Sequence, residues 1–75
     1  MRTFKVENSS QVDLVRYDKD TQTLDVVFKS KGGNKTYQYY KVQETIFDGI
    51  MSAESVGKYI NEHVKGKFDY KLIPF

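Results

Sequence analysis

Two turn signals divide the first half of the chain into segments of alternating polarity, and this punctuation narrows the folds open to it. Leu24, Val26 and Phe28 alternate with Asp25, Val27 and Lys29, a period of two that puts one apolar set on a single strand face. Before this run, Val12 and Leu14 alternate with Asp13, and the segment ends in Val15-Arg16-Tyr17. The intervening Asp18-Lys19-Asp20-Thr21 is rich in side chains that hydrogen-bond their own backbone and favour a turn. After the central run, Lys31-Gly32-Gly33-Asn34 supplies residues that tolerate the positive φ of a tight hairpin. Residues 36–42 form the next strand, since Tyr, Thr and Val suit a pleated surface. These segments predict an antiparallel meander with short connections, to which residues 3–7 add an edge strand.

The period then changes. Ile46, Phe47, Ile50 and Met51 fall on one side of a short helix that starts near Gln43 or Glu44. Ser52 breaks that pattern and is expected to cap a second helix by accepting from the backbone N–H near Ser55. Ala53, Gly57, Ile60 and Val64 share one face of that helix, with Val56 and Tyr59 at its margins. Glycine costs about 1 kcal/mol relative to alanine inside a helix, so a strand or the neighbouring helix is expected close to Gly57. Gly66 suits a left-handed C-terminal cap. Residues 68–73 alternate again as a closing strand ended by Pro74. The predicted fold class is α+β: a small antiparallel β-meander packed against two short helices, with a C-terminal closing strand.

A chain of 75 residues has room for one domain, spanning residues 1–75, with a small core. The absence of cysteine excludes disulfides and thiolate metal sites and suits a reducing cytosol. No apolar run approaches the ~18 residues that span a bilayer, and residues 1–10 lack the apolar core of a signal peptide. A soluble cytoplasmic protein without membrane attachment is expected.

Few residues suit catalysis or metal binding. His63 is the one histidine, no serine sits in a nucleophile-elbow pattern, and Asp18, Asp20 and Asp25 lack the spacing of a calcium loop. Gly32-Gly33 lacks the length and the Lys-Ser/Thr ending of a phosphate loop. The sequence therefore predicts neither an enzyme nor a bound metal or cofactor.

Charge points instead to binding. The net charge is +2, yet Lys29, Lys31, Lys35 and Lys41 lie in a stretch with no acid, while Glu7, Asp13, Asp18, Asp20 and Asp25 gather earlier. Such asymmetry gives one surface a positive potential, although lysines also guard sheet edges against aggregation. Within this stretch, Tyr37 and Tyr39 point to one strand face and Gln38 and Tyr40 to the other. Tyr37 and Tyr39 carry two readings, as core rings or as contact rings. Lys29, Lys31, Lys35, Tyr40 and Lys41 form the candidate nucleic-acid-binding set, with Tyr40 stacking on bases and the lysines meeting phosphates. The partner is then RNA or single-stranded nucleic acid. A protein–protein interaction module, such as a small bacterial or phage accessory protein, is the alternative.

Taken in order, these features resemble the KTSC domain, a short module named for the C-terminus of some lysyl-tRNA synthetases and found also as a stand-alone bacterial protein. Its central Tyr-x-Tyr matches Tyr37-Gln38-Tyr39, although Val42-Gln43 stands where the family has Val-Pro. Ser9-Ser10, VRYD (residues 15–18), TLDVVF (residues 23–28), AESVGKYIN (residues 53–61) and FDYKLI (residues 68–73) are similar to further family segments. The resemblance marks Tyr37, Tyr39, Ser55, Gly57 and Tyr59 as motif positions of structural character, and its synthetase context implies RNA binding.

Overall fold

The computed structural model describes residues 1–7 and 9–73, so Pro74 lies outside the described residues. The chain runs as β1 (Arg2–Lys5), β2 (Val12–Asp18), β3 (Thr23–Phe28), β4 (Lys35–Tyr39), α1 (Glu44–Ser52), α2 (Val56–His63) and β5 (Tyr70–Ile73). All five strands form one antiparallel sheet in sequence order. The α+β meander, the edge strand and the closing strand expected from the sequence are all present, with shorter bounds for the two outer strands.

Cross-strand register shows which face carries the core. Val15 pairs with Val26, Tyr17 with Leu24, Val26 with Tyr37, and Leu24 with Tyr39; directly opposed residues share a face. Val15, Tyr17, Leu24, Val26 and Tyr39 are all buried there beneath Phe47, Ile50, Ile60 and Val64 of the helical half. Val12 and Leu14, which alternation alone puts on one face, are separated by a register shift. The extra residue of that bulge sends Val12 into the core and turns Leu14 to the opposite face. On that other face, Arg16 lies 3.5 Å from Asp25, a largely buried carboxylate.

Tyr17 anchors the sheet to the segment before α1. Its ring stacks on Phe47 at 5.5 Å, and its hydroxyl donates to the Val42 carbonyl at 2.5 Å. Burial, followed by the nearby carboxylates of Glu44, Asp18 and Asp48, pushes its phenol above the ordinary value. Arg2 fastens β1 to α1 through Glu44 at 3.2 Å and Asp48 at 3.3 Å, with its guanidinium 5.0 Å from the centre of the Phe47 ring.

Several local expectations need correction. The strand expected over residues 36–42 stops at Tyr39, because Lys41 adopts φ 57 and turns the chain so that Val42 N–H bonds Gln22 O at 2.9 Å. The helix then starts without the family's proline. Gln43, at φ −73, has a backbone that proline could share, and its carbonyl accepts from Ile46 N–H at 3.0 Å. Ser52 does not cap α2: it is the last residue of α1, and its hydroxyl donates to Asp48 O at 3.1 Å. The cap is Ser55, whose side chain accepts from Lys58 N–H at 3.4 Å. A Ser55→Ala change should therefore cost about 0.5–2 kcal/mol, and Ser52→Ala should leave the denaturant midpoint almost unmoved. Equal losses at both positions would contradict this assignment.

The neighbour of Gly57 is neither a strand nor a helix but the β1–β2 loop. A Cβ at Gly57 would come within 2.9 Å of Gln11 Oε1 and 3.8 Å of Ser9 Oγ. Ser9 in turn organises that loop by accepting from the Gln11 and Val12 N–H groups at 3.1 and 3.0 Å. Val56 is buried in the core rather than marginal, and Ala53 precedes α2. Gly66 does take a left-handed conformation, at φ 76, as the chain leaves α2 for β5.

Candidate nucleic-acid interface

Neither helix extends over the whole core-side face of the sheet. Tyr70 and Leu72 of β5 point to that face, by their register with Tyr39 and Tyr37, yet they are 58% and 46% exposed. The uncovered part carries a diagonal row of rings. Phe28 of β3 meets Tyr37 of β4 edge-on at 5.4 Å, and Tyr37 meets Tyr70 of β5 at 5.5 Å with the planes tilted by 36°. Diagonal neighbours on adjacent strands lie within reach of aromatic side chains, so the row follows from the register.

Beside these rings runs a groove of about 420 Å³. Phe28 and Tyr37 line it, with Lys29 and Lys35 from the β3–β4 hairpin on one side and Asn61 and Lys65 from the α2 side on the other. It continues past Ser10, Gln11 and Asn61 to Lys58 and the start of α2. Lys58 and Asn61 are three apart and so are neighbours on the α2 surface, while Lys65 follows just past the end of α2, where its backbone N–H bonds Ile60 O at 2.9 Å. No carboxylate lines the aromatic section among the described residues, whereas Glu54 stands at the far end. Lys29 Nζ donates to Ser9 O at 2.9 Å, and Lys65 Nζ lies 5.2 Å from the centre of the Phe28 ring. Both cations thus make local contacts at the groove.

The residues singled out from the sequence do not form one patch. Lys29, Lys31 and Lys35 are exposed around the β3–β4 hairpin. Tyr40 and Lys41 lie beyond the opposite end of β4, roughly 16 Å from Lys35 by strand rise, where Val42 meets Gln22 just after the Asp18–Asp20 turn. Tyr40 is half-buried, and its hydroxyl hydrogen-bonds Gln38 Oε1 at 2.9 Å. Tyr37 and Tyr39, which share a face, differ in burial. Tyr39 is 2% exposed, and burial raises its phenol pKa, with smaller contributions from Tyr37 and Tyr70. Tyr37 is half-buried, with part of its ring in the groove. Ser55 and Gly57 stand at the α2 end of the groove, whereas Tyr59 packs its hydroxyl against Gly49 of α1 and its ring against His63 at 4.4 Å. Phe28, Lys58, Asn61, Lys65 and Tyr70 were not sequence candidates. They come from three separate parts of the chain, and only the strand register and the path of α2 bring them together.

No helix among the described residues is long and apolar enough to cross a membrane. Among the same residues, no group of three or more histidines and carboxylates is placed to hold a metal ion.

The family model of the KTSC domain matches residues 8–68. The chain belongs to the KTSC domain family. The matched stretch takes in β2, β3, β4, α1 and α2. A crystal structure of a KTSC domain protein from Yersinia pestis superimposes with a TM-score of 0.86 at 34% identity, covering 97% of each chain. A Tsukamurella paurometabola protein is 38% identical over 60 residues, 80% of this chain and 85% of its own length. A lysine–tRNA ligase of Trichormus variabilis is 39% identical over 58 residues, 77% of this chain. The matched stretch occupies 10% of that enzyme's length, so this chain corresponds to a small part of a much larger protein.

Proposed function

We propose that this KTSC domain is a non-catalytic RNA-binding module whose contact surface is the groove between α2 and the β3–β4 hairpin. The observation that carries this reading is the placement of Lys29, Lys35 and Lys65 around one aromatic-lined groove with no carboxylate on its lining among the described residues. Lys31 beside the hairpin and Lys58 farther along α2 extend the positive rim. Opposed lysines around a groove track a phosphate backbone, and each phosphate neutralised releases condensed counterions. The relation to a stretch of lysine–tRNA ligase, an enzyme that acts on RNA by its name, supports the choice of ligand.

The reading predicts weak, salt-sensitive affinity, because three to five lysine–phosphate contacts carry most of it. A fluorescence anisotropy titration against mixed-sequence RNA should give log K falling linearly with log salt, at a slope of about −2 to −4. Absence of binding at low salt, or affinity indifferent to salt, would remove the proposal.

A further inference from the structure

The ring row beside the lysines bears on which form of nucleic acid the groove accepts. Tyr70 is the most exposed aromatic of the row, and Leu72 beside it on β5 is also open. Tyr37 links Tyr70 to Phe28, and the Lys65 ammonium lies over the Phe28 ring. An exposed ring at a groove margin presents a π-face that an unpaired base can cover. A duplex keeps its bases paired and stacked on one another, so it can meet the lysines but not the rings.

Building on the nucleic-acid reading above, we infer that the ligand is an unpaired single strand, held by base stacking on Tyr70 and Tyr37 with its phosphates along Lys35, Lys29 and Lys65. The strand crosses β4 and β5 from the α2 side toward the β5 edge. Sheets that bind in this way stack about two or three bases, which matches the three rings of the row. Phe28 becomes available only when Lys65 leaves its face, and a phosphate is the group that draws the lysine away. The first base therefore stacks on the Tyr70 side, and occupation of Phe28 follows release of Lys65. Recognition is tolerant of sequence, because every base has a π-face.

The test compares three labelled probes at low salt: oligouridylate, oligothymidylate, and an RNA hairpin with a fully paired stem and a minimal loop. The expected result is that the single strands bind at least tenfold more tightly than the hairpin. Tyr70→Ala, a change at an exposed position, should weaken single-strand binding by about 5- to 100-fold and leave hairpin binding unchanged. Tyr70→Phe keeps the ring and should restore most of the affinity, while Tyr40→Ala at the far end of β4 should have no effect. Equal affinity for hairpin and single strands, or a neutral Tyr70→Ala, overturns the stacking inference and leaves the lysine groove as a general nucleic-acid surface. Failure of every probe to bind overturns both.

Discussion

Replacing Tyr39 with alanine is expected to destabilise the protein by about 3–5 kcal/mol, whereas the same change at Tyr37 should cost about 1–2 kcal/mol. The two residues share a strand and a face, yet Tyr39 is 2% exposed and Tyr37 is half-buried. Tyr39 packs among Leu24 and the buried helical side chains, so its loss leaves a cavity that the fold can close only in part. A domain of this size has little stability in reserve, and Tyr39→Ala should lower the melting temperature by more than about 10 °C. Tyr39→Phe keeps the ring volume and should stay folded, giving a reference if the alanine variant does not. Thermal melts showing the same loss at Tyr37 and Tyr39 would contradict this division of the Tyr-x-Tyr motif.

Reversing two groove charges together, Lys35→Glu with Lys65→Glu, is expected to reduce RNA affinity by about two orders of magnitude at roughly 50 mM salt. The two lysines flank the aromatic section, one from β4 and one from the turn just after α2. Losing both phosphate contacts should also flatten the salt dependence by about 1.4 in the log–log slope. Both side chains are exposed, so the melting temperature should change little. Lys41→Glu with Lys19→Glu makes the matched control, since it changes the same net charge away from the groove. If the control pair loses as much affinity as the groove pair, binding follows overall charge and the groove has no special part in it.

The element order was legible because each element carries its own local signal. Alternation through Leu24, Val26 and Phe28, turn chemistry at Asp18–Asp20 and Gly32-Gly33, and the change of period after Val42 depend on neighbours in sequence. The structure retains all of them. The errors lie where a distant contact or a single backbone angle decides. The bulge between Val12 and Leu14 reverses the face of Leu14, and the left-handed turn at Lys41 ends β4 early. Ser52 and Ser55 are both good helix caps by type. The choice between them depends on where α1 stops, and Ala53 N–H bonds back to Ile50 O at 3.2 Å to close it.

The candidate site was less legible. KTYQYYK, residues 35–41, looks in sequence like one basic aromatic patch, but a strand with a turn at its end spreads these side chains over two faces and two ends of the sheet. Lys35 remains at the groove and Tyr37 faces it in part, Tyr39 enters the core, and Tyr40 and Lys41 lie at the acidic end. By itself the sequence determined the α+β class, the order of strands and helices, and the KTSC family membership. The tertiary structure alone decided which rings are covered and which lysines gather. A period of two states that neighbours point opposite ways, but not which face the helices will cover or how far they will reach.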